Sequence, residues 1–377
     1  MSLATIEPAS RYIADFMAGL VGLETSWPFH AVAMLVVATF VVLIIVTPVG
    51  LGGVYLERKI AGRMQNRRGP NRVGPFGLLQ AIADGVKLLA KEDIVKRGMD
   101  EPLFRFAPYV VFLAAFTGMA IIPYAPLPPT ADGQAQALVA APLNVGIFFL
   151  LSMIGLETIG IVMAGWSSNN KWSLLGSMRE VAQVISYELP LGIAAMCPVL
   201  AAGTLNIVEM TNWQEGSIFS WFLIKDGYYG LVGIPSFLIF YVSALAAAKR
   251  APFDLPEAES ELVAGFHTEY SGMRFGLFFL PEYVLMLTLS AVMTAMWLGG
   301  YHDPFGLSAG PDGTFYGAWL WGLLWFAAKT ALLFLSMIAL RWTLPRLRID
   351  QVMYLCYKVL LPLSLFLLLL TAALRLL

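Results

Sequence analysis

The amino-acid sequence predicts an all-α polytopic membrane protein with eight transmembrane helices, an interfacial amphipathic helix and structured cytoplasmic loops. Three observations support this fold class. Hydrophobic residues make up 58% of the 377 positions and charged residues only 13%, whereas a soluble domain has roughly 45–50% apolar and about 25% charged residues. Eight segments carry enough apolar residues, about 20 each, to cross a bilayer. Basic residues are concentrated in alternate connections between these segments.

The eight predicted spans are strongly apolar, and most carry no charge over their middle. They lie at about 30–56, 104–125, 142–165, 180–202, 229–248, 282–301, 316–340 and 353–375. No signal peptide is recognised, because the first apolar run is too long and its positive charges follow it. We therefore treat the chain, 1–377, as a single integral membrane domain.

The distribution of Lys and Arg predicts the orientation. If both termini are periplasmic, the cytoplasmic loops are 57–103, 166–179, 249–281 and 341–352, and they hold 18 of the 24 basic residues. The periplasmic tails and loops hold only 3. This asymmetry is the positive-inside signal of a multi-pass protein of a cell membrane.

Composition also excludes several classes of function. A net charge of −1 argues against nucleic acid, which is bound through clustered Lys and Arg. Two separated cysteines and three scattered histidines do not match an iron–sulfur or structural zinc site. Two histidines are enough for a haem on paper, but the helical spacing that would support one is absent. We therefore expect no metal site on this chain.

The first cytoplasmic loop predicts an amphipathic helix at about 75–91. Pro75 suits a first helical turn. Apolar residues recur every three or four positions on one face: Leu78, Leu79, Ile82, Val86 and Leu89. Asp84 and Lys87 lie on the other face, at a spacing that allows contact. The segment is too short and too charged to span, so it is predicted to lie in the interface. The alternative is a solvated ion pair beside a basic membrane anchor.

Two carboxylates lie inside predicted spans. Glu157 precedes the end of the third span by eight residues, and Glu188 follows the start of the fourth by eight. Both therefore lie about 12 Å from the cytoplasmic surface and are predicted to face one another. Carboxylates at this depth are costly and mark proton pathways. The alternative is a hydrogen-bonded pair that only orients the two helices.

Further ionisable groups extend this predicted polar path. Lys329 lies near the middle of the seventh span, too deep to reach the surface comfortably, and is predicted to need an acidic partner. The third cytoplasmic loop, 249–281, is rich in carboxylates: Asp254, Glu257, Glu259, Glu261 and Glu269, with Glu282 at the start of the sixth span. The alternative for this loop is a solvated charged face.

Several long motifs carry a resemblance to a known family. Glu57-Arg58-Lys59 is followed at 62–80 by Gly-x-Met-Gln-x-Arg-x-Gly-Pro-Asn-x-Val-Gly-Pro-x-Gly-Leu-Leu-Gln, and the third loop contains the block 250–270. Further marks are Ile185-Ser186-Tyr187-Glu188 and the segment 345–351. Together they resemble the membrane subunit of respiratory complex I, the proton-translocating NADH–quinone oxidoreductase, that meets the peripheral arm. The resemblance covers the bacterial and the mitochondrial forms of that subunit. It runs from about residue 30 to the C-terminus.

The resemblance implies a quinone-binding subunit without redox centres of its own. Its substrate would be a quinone, ubiquinone by expectation. Electrons would arrive from peripheral-arm partners that hold flavin and iron–sulfur clusters, so no metal or flavin is expected here. Antiporter-like membrane subunits would be further partners. Glu57, Arg58, Asp84 and Lys87 would line the polar part of the quinone passage.

The resemblance also implies a proton pathway and a bacterial inner membrane as the location. Its members would be Glu157, Glu188, Glu257, Glu259, Glu261, Glu269, Glu282 and Lys329. Two alternatives stay open at this point: the homologous anchor subunit of a membrane-bound hydrogenase, and a stand-alone ion transporter. Copurifying NADH dehydrogenase or hydrogenase activity would separate these classes.

Overall fold

The structure is a computed structural model of the chain, and it describes residues 52–127, 136–225, 227–256, 259–305 and 315–376. Within these residues the fold is helical apart from one antiparallel pair of two-residue strands, β1 (Pro126–Leu127) and β2 (Gln136–Ala137). The helices are α1 (52–64), α2 (Gln80–Ala90), α3 (Glu101–Gly118), α4 (Gly146–Ser167), α5 (Lys171–Ala202), α6 (Ile207–Asn212), α7 (Gly230–Ala247), α8 (Glu259–Leu262), α9 (Gly272–Trp297), α10 (Phe315–Thr343) and α11 (Ile349–Leu376).

Seven helices among the described residues are long and apolar enough to cross a membrane: α3, α4, α5, α7, α9, α10 and α11. Each overlaps one of the predicted spans, and the all-helical membrane fold class is confirmed. The first predicted span, 30–56, lies mostly outside the described residues; its end is part of α1. The total of eight spans therefore stays a prediction with which the structure agrees.

The helix α9 lies at the centre of the bundle. Of its most apolar stretch, 72% is buried, against 33% for α10 and 22% for α11. Its hydroxyl groups are satisfied without water, because Thr288, Ser290 and Thr294 each donate to the carbonyl four residues earlier. The outer helices α10 and α11 expose large apolar side chains instead, as helices facing lipid do.

One end of the bundle carries most of the charged connections, and we call it the basic end. It comprises 65–100, 168–170, 248–271 and 344–348. Backbone hydrogen bonds tie these connections together: the Asp100 amide donates to the Ser167 carbonyl (3.2 Å), and the Leu347 amide donates to the Pro252 carbonyl (3.0 Å). The side chains that the sequence marks as functional are therefore brought to one end.

The helix α5 starts nine residues before the predicted fourth span. The Asn170 side chain caps it by accepting a hydrogen bond from the Trp172 amide at 3.1 Å, which satisfies an amide that the helix leaves unpaired. Apolar content alone missed this start because the first turns contain Lys171, Arg179 and Glu180. The longer helix brings Glu180 into the bundle.

The helix α9 likewise begins ten residues before the predicted 282. Its charged residue Arg274 pairs with Asp93 at 2.9 Å and so is tolerated inside the helix. Glu282, predicted at the start of the span, therefore lies within α9 and is 3% exposed. A residue expected at the surface is thus a buried carboxylate.

The amphipathic helix is present as α2, although it starts at Gln80 instead of 75. Pro75 belongs to a separate single turn, and the left-handed backbone of Phe76 (φ 55°) and Gly77 (φ 81°) interrupts the helical path. The start of α9 holds its far end: Ser271 donates to the Glu92 carbonyl (3.2 Å). The apolar side chains of α2 remain largely exposed, as at a membrane interface: Ile82, Val86 and Leu89.

Candidate functional site

The first group of buried charges surrounds Glu57, near the end of α1. Its carboxylate accepts hydrogen bonds from Arg341 (2.5 Å) and from the Tyr283 hydroxyl (2.7 Å). Arg250 lies 3.7 Å from Glu57 and 3.5 Å from Glu282. Two carboxylates thus meet two guanidinium groups, which compensates charges that would be costly to bury alone. We call these four charged residues and Tyr283 the Glu57 cluster.

Arg58 and Asp84 join α1 to the amphipathic helix. Their side chains form an ion pair at the surface, and Gln80 also donates to Asp84 at 3.2 Å. Partial burial raises the pKa of Asp84, but the hydrogen bonds from Arg58 and Gln80 outweigh it and hold that pKa below its usual value. Lys87 is exposed and acts on Asp84 only through its charge. The predicted Asp84–Lys87 interaction is thus secondary to Arg58.

A second group of buried charges lies between α4, α5 and the end of α7. The Lys249 ammonium is 2.9 Å from Glu157 and 2.8 Å from Glu180, and each of the three side chains is at most 3% exposed. Burial by itself lowers the pKa of Lys249, but the carboxylates of Glu157, Glu180 and Glu282 raise it above its usual value. Lys249 is therefore charged. We call Glu157, Glu180 and Lys249 the Lys249 cluster.

The two clusters are joined through the backbone. Lys249 and Arg250 are consecutive residues just after α7, yet Lys249 contacts Glu157 and Glu180 whereas Arg250 contacts Glu57 and Glu282. Lys249 adopts a left-handed conformation (φ 55°) that L-residues seldom occupy. Any displacement of one side chain is thereby transmitted to its neighbour in the other cluster.

Glu188 lies apart from the Lys249 cluster. It is half-buried on α5, and a Cβ added at Gly155 would lie 3.7 Å from its carboxylate. Within the described residues, no hydrogen bond joins it to Glu157, whose partner is Lys249. Eight residues separate Glu180 from Glu188, which is about 12 Å along a helix. Because α5 starts earlier than predicted, Glu180 takes the place beside Glu157 that the sequence suggested for Glu188.

The carboxylates of the third loop are held individually by cations from other parts of the chain. Asp254 pairs with Arg346 (3.5 Å), Glu261 with Arg179 (2.6 Å) and Glu269 with Lys96 (3.5 Å), where Asn170 also donates to Glu269 (2.8 Å). Glu257 lies outside the described residues, and the side chain of Glu259 in α8 is not among those described. The described part of this loop is a set of separate ion pairs at the basic end.

Lys329 lies in a different environment, where α9 ends. Its ammonium donates to the carbonyls of Leu298 (2.7 Å), Gly300 (2.8 Å) and His302 (2.6 Å). These groups follow the C-terminus of α9, where the helix dipole favours a cation. The buried carboxylate Asp303 adds a favourable charge. The acidic partner predicted for Lys329 is thus supplemented by backbone oxygens.

Comparison with known proteins identifies the family. The family described as NADH dehydrogenase matches residues 33–372 of the chain. The chain belongs to the NADH dehydrogenase family. Its relatives include the NADH-quinone oxidoreductase H subunit of Chlorobaculum parvum, 43% identical over 94% of this chain and 95% of that protein. An H-type subunit of the same enzyme from Geobacter metallireducens is 46% identical over 83% and 87%, respectively, and that of Rickettsia canadensis is 43% identical over 91% and 93%.

Membership of the NADH dehydrogenase family confirms the resemblance that the motifs predicted. The relatives are bacterial respiratory subunits, and this chain is likewise a multi-pass membrane protein of that family. Among the residues that the structure describes, no group of His, Cys, Asp and Glu has the arrangement of a metal site.

Sequence reasoning missed four members of the two clusters: Glu180, Lys249, Arg250 and Arg341. The three cations follow or end apolar runs, which is also the pattern of a positive-inside anchor. Glu180 lies at the edge of a predicted span and so received no role. A signal did exist, since a Lys-Arg pair directly after a span and before an acidic loop has potential partners on both sides.

Proposed function

We propose that this chain is the quinone-binding membrane subunit of a proton-pumping NADH–quinone oxidoreductase. In this role it forms the entrance channel for the quinone and couples quinone reduction to proton translocation. The relatives named above are subunits of NADH-quinone oxidoreductase. The observation that carries the proposal is the pair of buried charged clusters, which meet at the consecutive residues Lys249 and Arg250.

The quinone passage is proposed at the basic end, between α1, α2 and the start of α9. Arg58, Asp84 and Lys87 supply polar groups there, and Glu57 lies deeper at the same end. The exposed apolar face of α2 provides a lipid-side surface for the quinone tail. A quinone head group that accepts electrons and two protons would change the charge beside Glu57. Ubiquinone is the proposed quinone.

The coupling path is proposed to run from the Glu57 cluster to the bundle interior. Glu282 and Arg250 connect it to Glu157, and Glu188 lies further along α5. The loop residues Glu257, Glu259, Glu261 and Glu269 are proposed as its branch toward the basic surface, and Lys329 as its continuation at the other end of α9. Buried ionisable residues in a membrane helix are costly and therefore mark such paths.

The partners are proposed from the charge of the basic end. A recess of about 300 Å³ there is lined by Lys59, Arg63, Arg67, Arg68, Gly69 and Asn71. This end is proposed to face the cytoplasm and the peripheral-arm subunits that hold the flavin and the iron–sulfur clusters, with both termini in the periplasm. Antiporter-like membrane subunits are proposed to pack beside the bundle in a bacterial inner membrane.

The first test is purification of the tagged chain in mild detergent, followed by a native gel stained for NADH dehydrogenase activity. We expect a very large band whose quinone reductase activity is sensitive to quinone-site inhibitors. Glu188→Gln should then lower the number of protons pumped per electron while the complex still assembles. Glu101→Gln is the matched control, because its ion pair with Arg105 is exposed on α3.

Two results would contradict the proposal. A small band without NADH dehydrogenase activity, from well-preserved membranes, would favour a stand-alone transporter. Copurification of hydrogenase activity in place of NADH dehydrogenase activity would favour the homologous anchor of a hydrogenase. Full coupled turnover in Glu188→Gln would remove that residue from the mechanism.

A further inference from the structure

The two buried clusters differ in their balance of charge. The Glu57 cluster contains two carboxylates and two guanidinium groups, from Arg250 and Arg341. The Lys249 cluster contains two carboxylates and a single ammonium group. With every group in its ordinary ionised form, the first cluster is neutral and the second carries one negative charge.

The Lys249 cluster is buried too deeply to keep this excess charge unchanged. Its side chains are exposed by 3% (Glu157), 0% (Glu180) and 3% (Lys249). An uncompensated carboxylate in such surroundings is strongly disfavoured, and binding a proton removes the charge. Two carboxylates that share one site cannot both ionise easily. The favourable state therefore has one proton for the two glutamates.

The geometry provides a position for this proton. Lys249 donates to one oxygen of Glu157, and the other oxygen, Oε2, accepts no hydrogen bond from the described residues although it is fully buried. A buried oxygen without a donor is a favourable place for a bound proton.

The other ionisable groups around the cluster have partners elsewhere. From α9, Glu282 pairs with Arg250 of the 248–271 connection. His267, in the same connection, is buried among aromatic rings beside Phe266, which stacks near Lys249. On α5, the exposed neighbour Arg179 is directed to Glu261. Within the described residues, the excess charge is thus left to the two glutamates.

We propose that Glu157 and Glu180 share one exchangeable proton in a buried site that Lys249 positions and that Arg250 connects to the Glu57 cluster. Lys249 is a positioning residue, because its ammonium compensates one carboxylate and leaves the other to bind the proton. When charge changes beside Glu57, Arg250 shifts toward or away from it and moves the adjacent Lys249. The proton is then released or taken up. This coupling rests on the function proposed above, whereas the presence of the proton does not.

The test is infrared difference spectroscopy of the purified complex during a change of pH, which detects the C=O stretch of protonated carboxyl groups. We expect Glu157→Gln and Glu180→Gln each to lose the same carboxyl band, because the remaining glutamate and Lys249 are then balanced. The double variant should lose no more than either single variant. Glu101→Gln, on the exposed surface, should leave the band unchanged.

Each other result would overturn the shared proton. If both single variants retain the band, no proton is held there. If the double variant loses twice as much as either single variant, each glutamate binds its own proton. Should one single variant fail to assemble, the other carries the same test, since each removes one of the two carboxylates.

Lys249→Arg and Lys249→Met separate a positioning role from simple packing. The arginine variant should keep the wild-type band because it retains the charge, and the methionine variant should gain a second carboxyl band. An unchanged band in Lys249→Met would contradict the proposed role of the ammonium. These spectra do not depend on turnover. A wild-type complex that shows the band but lacks NADH–quinone activity would therefore refute the proposed function and leave the shared proton in place.

Discussion

Two buried lysines, at opposite ends of the bundle, are stabilised in different ways. Lys249, at the basic end, contacts the carboxylates of Glu157 and Glu180 from two other helices. Lys329, at the other end of α9, donates to three backbone carbonyls that follow this helix. The first lysine depends on ionised side chains, whereas the second depends on the fixed dipoles of a helix end.

This difference separates an adjustable site from a permanent one. A carboxylate can bind or release a proton, so the environment of Lys249 changes with pH and with nearby charge. A backbone carbonyl does not titrate, so the environment of Lys329 stays constant. His302 beside Lys329 is consistent with this, because burial and the neighbouring Lys329 lower its pKa to about 4, and it is neutral at physiological pH. The variants below test this contrast.

The largest effect is expected for Lys249→Met. Removal of one member of a buried ion pair costs about 3–5 kcal/mol of unfolding free energy, because a buried charge loses its partner. Both glutamates must then bind protons to stay buried, so the loss should be greater at pH 8 than at pH 6. Thermal unfolding of the purified complex at the two pH values measures this. A Tm that is equally lowered at both would contradict the titrating environment.

A smaller and pH-independent effect is expected for Lys329→Met. Hydrogen bonds from a charged group contribute about 1.5–3 kcal/mol, and three carbonyl acceptors lose their donor together. The Tm should fall by the same amount at pH 6 and pH 8, and Lys329→Arg should retain part of the stability. If Tm is unchanged in Lys329→Met, the ammonium does not stabilise the end of α9.

Asp84→Asn should act on quinone binding with little effect on stability. Its ion pair with Arg58 is partly exposed, with side chains 25% and 44% accessible, and such pairs contribute only about 0–1 kcal/mol. We expect quinone-site inhibitors to be needed at higher concentration, because Arg58 is no longer held against α2. Inhibitor titrations of NADH–quinone reductase activity measure this. Titration curves that superimpose on wild type would exclude this ion pair from the passage.

The smallest effect is expected for Glu261→Gln. Arg179 holds the pKa of Glu261 below its usual value, so the pair is fully formed at neutral pH and is lost only as pH falls through that lowered value. Because the Glu261 side chain is 55% exposed, water and salt screen the pair. Tm at neutral pH should therefore match wild type. A fall in Tm as large as that of Lys329→Met would show that this surface pair is energetically important.

Prediction from the sequence succeeded where the pattern is local. Seven of the predicted spans, the amphipathic helix and the buried position of Glu157 are all present among the described residues. It failed where a partner from elsewhere in the chain was needed. Glu188 was predicted to face Glu157, but the early start of α5 places Glu180 there instead. Glu282 was predicted at a helix start, but the Arg274–Asp93 pair extends α9 beyond it.

The sequence by itself determined the membrane class, the order of the spans and the family, because length, hydropathy and contiguous motifs do not depend on which helices touch. The tertiary structure alone decided which charges meet. Glu57 and Arg341 are 284 positions apart, and Glu157 and Lys249 are 92 apart, so no local pattern relates them. The physical reason is that a buried charge must find an opposite charge wherever packing brings one. Only the packed helices show that one cluster is neutral and the other has a carboxylate in excess.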